Sequence, residues 1–201
     1  MITDHSPQGS PEWKKARTGI PTASRFDEIV TTAGVASKSA KKYMYQLAVE
    51  RITGIKEESY QNGAMQRGIE MEYEARQAYE IITGSEVKEV GLCYPDDKKL
   101  YGASPDGLVG DDGCLEIKSP TSAVHVEYLL GNVLPTAYFQ QTQGQLLVTG
   151  RKWCDFMSYF PGVMPLIIRV TPDKLFQKSL AVELEIFCKG LEQVAEQIRS
   201  K

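Results

Sequence analysis

Apolar residues recur at intervals of three and four before about residue 84 and again after about residue 137, which predicts amphipathic helices in both regions. The spacing predicts helices over about residues 24–30, 40–53, 65–83 and 137–148. A long C-terminal helix is predicted to start at Thr171-Pro172-Asp173, with Thr171 as its cap before Pro172. Gly54 and Gly84 directly follow two of these helices, and glycine is a common helix stop at that position.

Between these regions the period changes to two, which predicts short strands. They fall near residues 87–94, 99–103, 107–109, 114–118, 153–159 and 166–170. No repeat or long linker divides the chain, so we expect a single domain over residues 1–201. Helices before and after a central run of strands predict an α/β (α+β) fold, with a sheet as the platform for a site.

One carboxylate interrupts an apolar face. Residues 65, 68, 72, 75, 79 and 82 share one side of the predicted helix over 65–83, and Glu72 is the acidic member of this set. Burying a carboxylate without a partner is costly, so we expect Glu72 to have one.

Composition excludes several classes of protein. With 42% hydrophobic and 24% charged residues, the chain is an ordinary globular protein. It has no run of roughly 20 apolar residues and no visible secretion signal, so we expect a cytoplasmic protein without membrane contact. The four cysteines form no CxxC pair and are expected to be free thiols. With two histidines, HExxH chemistry is excluded and only His125 could serve a Ser–His or Cys–His pair, so we expect chemistry on carboxylates and lysines.

The net charge of −3 argues mildly against a general nucleic-acid-binding protein. Residues 11–51 nevertheless carry eight Lys or Arg against four Asp or Glu. A basic region facing an acidic, cation-binding centre would suit a phosphate substrate. From charge alone, chance unevenness on a solvated surface is a slightly better explanation.

The most informative segment runs from Ser104-Pro105-Asp106-Gly107 to Leu115-Glu116-Ile117-Lys118. Period two places Glu116 and Lys118 on one face of the last strand, and the turn before it can fold Asp106 back beside Glu116. Two neighbouring carboxylates repel unless a cation compensates them, and Mg²⁺ prefers such oxygen ligands. The backbone carbonyl of Ile117 is a further candidate ligand, and Lys118 could position or deprotonate a water. Pro-Asp-Gly turns and Glu-x-Lys strands are common separately; together in this order they indicate a metal-dependent site that acts on phosphodiesters.

At this point the motifs resemble a known family. Asp106 followed by Glu116-Ile117-Lys118 is similar to the PD-(D/E)xK nuclease motif, whose core is a central mixed β-sheet flanked by helices. More closely, the chain resembles the phage lambda exonuclease family of alkaline exonucleases, or YqaJ-like viral recombinases. Five blocks between about residues 12 and 170 carry this resemblance in order: Trp13…Arg17-x-Gly19-x-x-Thr22-Ala23-Ser24, Arg67-Gly68-x-x-x-Glu72-x-x-Ala75-Arg76, Ser104-Pro105-Asp106-Gly107, Leu115-Glu116-Ile117-Lys118 and Tyr138-x-x-Gln141-x-Gln143.

The resemblance implies a 5′→3′ exonuclease that digests one strand of double-stranded DNA and leaves a 3′ single-stranded tail for phage-type recombination. It implies Mg²⁺ as cofactor, with Mn²⁺ as a substitute, and DNA ends with a 5′-phosphate as substrate. A homotrimeric ring, a single-strand annealing protein as partner, and a phage or prophage gene expressed in a bacterial cytoplasm are expected on the same ground.

Roles for individual residues also follow from the resemblance. Asp106 and Glu116, with the Ile117 carbonyl, would ligate Mg²⁺ and Lys118 would assist the water. Glu72 would join the metal and water network. Gln141 would bond within the site, and its neighbours Gln143 and Gln145 are further candidates there. For DNA binding, the resemblance implies that Arg17 anchors the 5′-phosphate and that Met65 is an apolar wedge. Ser24, at a helix start that favours anions, and Gln143, on a helix, are further DNA-binding candidates. A second phosphate-binding residue could be Lys38, Lys41 or Lys42.

Two other functions remain open at this stage. A PD-(D/E)xK endonuclease would use the same metal site, although the Arg17 block and the lack of an added specificity domain favour an exonuclease. A DNA-binding or assembly module whose nuclease site has decayed belongs to another class. The presence of Asp106, Glu116 and Lys118 argues against decay.

Overall fold

The computed structural model describes residues 1–56 and 63–201, and for residues 63–70 it describes the helix without the side chains. Two short 3₁₀ segments, Ala23–Glu28 and Thr136–Tyr138, precede longer helices. The described α-helices are α1 (Pro11–Ala16), α2 (Ala40–Thr53), α3 (Gly63–Thr83), α4 (Ser122–Gly131), α5 (Phe139–Thr149) and α6 (Lys174–Arg199). None of them is long and apolar enough to cross a membrane.

The described strands form one five-stranded sheet and one short pair. They are β1 (Ile2–Thr3), β2 (Val87–Lys88), β3 (Cys93–Tyr94), β4 (Gly107–Val109), β5 (Gly113–Lys118), β6 (Trp153–Ser158) and β7 (Leu166–Val170). The large sheet has the order β2-β4-β5-β6-β7, with β5 and β6 parallel and the other pairs antiparallel; β1 pairs with β3. Parallel neighbours need a crossover, which α4 and α5 supply. This mixed sheet between helices confirms the predicted α+β class.

The two faces of β5 serve different cores. Leu115 and Ile117 pack with Ala75 and Tyr79 of α3 on one face. Residues of α2, α5 and α6 and the first 3₁₀ segment fill the other core, to which Cys114 belongs. Because side chains alternate along a strand, Glu116 and Lys118 project toward the α5 side. The sheet therefore directs the candidate carboxylate toward a helix rich in glutamine.

The ends predicted for two helices from their following glycines are confirmed. The helices α2 and α3 end at Thr53 and Thr83, and Gly54 and Gly84 follow with positive φ of 68° and 67°. Only glycine reaches this left-handed conformation without a steric penalty.

Several predicted elements were wrong in type or extent. Residues 99–103 form no strand, and Gly102 and Ala103 make only isolated bridges. The predicted strand over 87–94 is two separate short strands, β2 and β3, which pair with different partners. The segment predicted as a helix over 24–30 is the first 3₁₀ segment, interrupted at Arg25, whose φ is −130°.

Two further differences concern α4 and α6. The sequence pattern did not predict α4, because Val124, Val126 and the residues around them show no clear helical apolar stripe. The cap of α6 is Asp173, not Thr171: its side chain accepts a hydrogen bond of 3.0 Å from the Phe176 N–H.

Candidate active site

The hairpin of β4 and β5 brings Asp106 beside Glu116. Gly107 lies opposite Leu115, and the Asp106 N–H donates to the Leu115 carbonyl at 2.9 Å. The Asp106 carboxylate then accepts from the Ile117 N–H at 2.6 Å. The residue before β4 is thus fixed by backbone pairing, and its side chain reaches the end of β5.

Glu116 is buried, with 1% of its surface exposed, and both of its carboxylate oxygens have donors. Oε1 accepts from Gln141 Nε2 at 2.5 Å and pairs with the Lys118 ammonium. Oε2 accepts from Gln145 Nε2. Since a buried carboxyl group needs hydrogen-bond partners, these three donors account for the presence of Glu116 at this depth.

The Asp106 carboxyl group has fewer hydrogen-bond donors around it than Glu116. Burial and the charge of Glu116 raise the pKa of Asp106 well above its usual value, against the lowering effect of Lys118. Burial alone would lower the pKa of Lys118, but the charges of Glu116 and Asp106 outweigh it and raise that pKa. Lys118 therefore stays protonated beside the two carboxylates, with its ammonium 5.4 Å from the centre of the Tyr138 ring.

The donor set suits a hard divalent cation that keeps several waters. Asp106 and Glu116 supply carboxylate oxygens. In a strand, the N–H and C=O of one residue point to the same side. The Ile117 N–H donates to Asp106, so the Ile117 carbonyl also faces the β4 side of β5, beyond the residue at which β4 starts. Within the described residues, no cluster of three or more His, Cys, Asp or Glu forms a complete protein cage. Two carboxylates with water-filled positions are typical of Mg²⁺ rather than zinc.

A second feature of the same cleft is a cationic pocket around Arg17. Its guanidinium donates to the Ser104, Thr22 and Ser24 hydroxyls at 3.1, 3.1 and 3.3 Å. It lies 4.3 Å from the centre of the Trp13 ring, and the Trp13 indole donates to Ser104 at 3.1 Å. Among the described residues, nothing accepts from the buried Arg17 Nε. A fixed guanidinium surrounded by hydroxyl groups is suited to bind an anion.

These residues share one open cleft. Its lining consists of Gln8, Trp13, Arg17, Ala23, Ser24, Ser104, Asp106, Glu116, Lys118, Gln141 and Gln145. The structure thus gathers the predicted residues Arg17, Ser24, Asp106, Glu116, Lys118 and Gln141 in one place. Their roles stay predictions.

Glu72 does not line this cleft. It accepts a hydrogen bond of 2.8 Å from Arg76, which also pairs with Glu89. These residues line an adjoining groove that reaches Asp106 and includes His5. The partner that was expected for Glu72 is therefore Arg76.

Two predicted DNA-binding residues, Gln143 and Lys38, do not line the cleft. Gln143 is buried and holds the start of α6, donating to the Thr171 carbonyl at 2.9 Å and accepting from the Asp173 N–H at 2.9 Å. Its contact with DNA stays a prediction. Lys38 is exposed in the loop before α2 and does not line the cleft. The Met65 side chain lies outside the described residues.

The sequence pattern assigned no role in the site to Ser104 and Gln8, and it indicated Gln145 only as a neighbour of Gln141. Gln145 follows Gln141 by four residues and therefore shares its helix face, a signal that was present in the sequence. Ser104 stood in a quoted motif without a role. Gln8 donates to the Val90 and Pro105 carbonyls at 2.9 and 2.8 Å, and this long-range contact has no sequence signal.

Comparison with known proteins agrees with this fold. The model of the YqaJ-like viral recombinase domain matches residues 12–152. An alkaline exonuclease from Laribacter hongkongensis is 38% identical, with a TM-score of 0.86 over 95% of this chain and 97% of that chain, and has also been solved in complex with dAMP. A phage-related exonuclease from Haemophilus somnus 129PT shares the fold, with a TM-score of 0.68 at 13% identity over 89% of this chain and 96% of that one.

The chain belongs to the family of YqaJ-like viral recombinase domains. It is also 28% identical over 164 residues to the uncharacterized protein R354 of Acanthamoeba polyphaga mimivirus. That match takes in 75% of this chain but only 29% of the viral protein. The domain can therefore occur within a much longer polypeptide.

Proposed function

We propose that this protein is a Mg²⁺-dependent 5′→3′ exonuclease that digests one strand of double-stranded DNA and leaves a 3′ single-stranded tail. The coarser part, a DNA exonuclease, follows from the family and from the 38% identical alkaline exonuclease. The observation that carries the finer part is the shared cleft, in which the Arg17 pocket opens beside Asp106 and Glu116.

The placement of the two features supports the proposed polarity. A terminal 5′-phosphate held by Arg17, Ser24 and Ser104 would leave the first phosphodiester beside the carboxylates, so one nucleotide would be removed in each cycle. That the Laribacter enzyme binds dAMP supports a pocket of this size and chemistry. A 5′-hydroxyl end would leave the guanidinium without its anion and would be a poorer substrate.

The residues of the cleft divide the chemistry between them. Asp106, Glu116 and the Ile117 carbonyl would hold Mg²⁺, which when bound supplies an acidified water and stabilises negative charge on the phosphoryl oxygens. Gln141 holds one oxygen of Glu116 in place. Lys118, kept protonated by the two carboxylates, orients the attacking water and offsets charge as the leaving oxygen departs.

The proposal extends to assembly and partners. A closed homotrimeric ring around duplex DNA would supply processivity through topology, which suits a chain with a net charge of −3. The 3′ tail would be the substrate of a single-strand annealing protein in phage-type recombination. Light scattering of the purified protein tests the trimer: a monomer at micromolar concentration would contradict it.

The decisive experiment is digestion of linear duplex DNA with a 5′-phosphate on one strand only and a separate label on each strand. With Mg²⁺, the phosphorylated strand should shorten from its 5′ end, while closed circular DNA should stay intact. Excess chelator is the control for metal dependence. Cutting of closed circles would instead make the protein an endonuclease, and binding without any cleavage would overturn the nuclease assignment.

A further inference from the structure

The carboxylate of Glu116 is held by two amides from successive turns of one helix. Gln141 and Gln145 are four residues apart on α5, so both side chains project from the same face. Each takes a different oxygen: Gln141 donates to Oε1, and Gln145 donates to Oε2. The two contacts differ in exposure, since Gln141 is partly exposed in the cleft and Gln145 is only 1% exposed.

The orientation of the Gln145 amide is set from the strand next to β5. The Cys154 thiol on β6 donates to Gln145 Oε1 at 3.4 Å, and Cys154 is fully buried. The opposite orientation of the amide would set its oxygen against Glu116 Oε2, with two acceptors facing each other. A hydrogen bond with Cys114 and burial raise the pKa of the Cys154 thiol well above its usual value, so it remains a donor.

We propose that Gln145, oriented by Cys154, is a positioning residue that fixes Glu116 for the divalent cation and thereby sets the affinity of the site. This inference rests on the proposed metal-dependent function. Gln141 alone cannot fix the carboxylate, because it shares Oε1 with Lys118 and leaves Oε2 to Gln145. The donor to Oε2 therefore determines how the carboxylate plane is rotated about the Cγ–Cδ bond of Glu116.

The same helix provides a matched control. Gln143 is as buried as Gln145, but its amide holds Thr171 and Asp173 instead of Glu116. Gln143→Ala should lower thermal stability without changing cation affinity. Gln145→Leu should change cation affinity in a protein that remains folded, which separates positioning from general packing.

The test is calorimetric titration of the DNA-free protein with Mn²⁺, with folding checked by circular dichroism. Loss of a residue that orients a metal ligand commonly weakens metal binding by roughly ten- to a hundredfold, and Gln145→Leu should fall in this range. Cys154→Ala should weaken binding less, and Cys154→Ser should preserve it because a hydroxyl also donates. In the Gln145→Leu background, Cys154→Ala should add nothing further, since its effect passes through Gln145.

The outcomes separate this inference from the proposed function. If the wild-type protein binds no Mn²⁺, the metal-dependent function itself is wrong. If the wild type binds Mn²⁺ and folded Gln145→Leu binds it equally well, Gln145 does not position Glu116. Should Gln145→Leu fail to fold, Cys154→Ala against Cys154→Ser carries the test: equal affinities in these two variants would overturn the role of the thiol and of the amide that it orients.

Discussion

Replacing Arg17 by alanine tests the phosphate pocket most directly. The change removes a guanidinium that donates to three hydroxyl groups and stacks on Trp13, and whose Nε has no acceptor among the described residues. The carboxylates of the cleft are not altered, and Glu116 keeps its three donors. We expect cleavage to persist while the preference for a 5′-phosphate over a 5′-hydroxyl end disappears.

The size of the expected loss of preference follows from the number of contacts that a 5′-phosphate can make with Arg17. A hydrogen bond to a charged group contributes about 1.5–3 kcal/mol, so a bidentate guanidinium–phosphate pair contributes about 3–6 kcal/mol. Two of the three guanidinium nitrogens already serve hydroxyl groups, which favours the lower end of this range. At about 1.36 kcal/mol per factor of ten, the preference should fall by roughly a hundredfold.

The assay compares kcat/KM on two duplexes that differ only in the 5′ group. Arg25→Ala is the matched control, because Arg25 also stacks on an aromatic ring, 3.9 Å from the centre of Tyr43, but does not line the cleft. The control should leave the phosphate-to-hydroxyl ratio unchanged. A wild-type ratio in Arg17→Ala would refute the anchor and the polarity derived from it.

Three other predictions use different readouts. Lys118→Ala should abolish cleavage while DNA binding persists, because it removes the ammonium beside both carboxylates; near-wild-type rates would exclude Lys118 from the mechanism. Gly144→Ala would place a Cβ 2.5 Å from the buried Phe26 ring, so overpacking should cost about 1–3 kcal/mol in denaturant unfolding, and unchanged stability would contradict the packing of α5. Burial raises the pKa of Cys93 and Cys188 from 9.0 to about 11, so both should resist iodoacetamide at pH 8. The folded state then binds these protons more tightly than the unfolded state, so the free energy of unfolding should fall as pH rises from about 9 to 11. Rapid labelling of the native protein would refute the raised pKa values.

The parts of this molecule that depend on local rules were predictable from sequence. Gly54 and Gly84 end their helices because no other residue reaches positive φ so easily. Glu116 and Lys118 share a face because side chains alternate along any strand. Asp106 joins them because a hairpin turn of known length folds one strand onto the next.

What the sequence could not show depends on contacts between distant segments. Gln143 and Gln145 are both polar residues on α5, but the first holds α6 and the second holds Glu116. Two positions correspond to about 200° of rotation around a helix, so these side chains leave on opposite sides. Which side faces the carboxylate is decided by how α5 packs between α6, the first 3₁₀ segment and the sheet. The spacing of Gln141 and Gln145 shows that they share a face, but not that this face meets Glu116.

The distribution of donors around the two carboxylates explains how an acidic protein can hold a site for phosphate. Glu116 is buried but has two amides and an ammonium, whereas Asp106 has one backbone N–H and the repulsion of Glu116 and Glu72. The ionised form of Asp106 is therefore less compensated than that of Glu116, and the Ile117 carbonyl faces the same edge of β5. A divalent cation at this edge would relieve that repulsion and reverse the local sign of charge. Together with Arg17 and Lys118 it would make the cleft positive, so attraction of a phosphate requires no net positive charge on the chain as a whole.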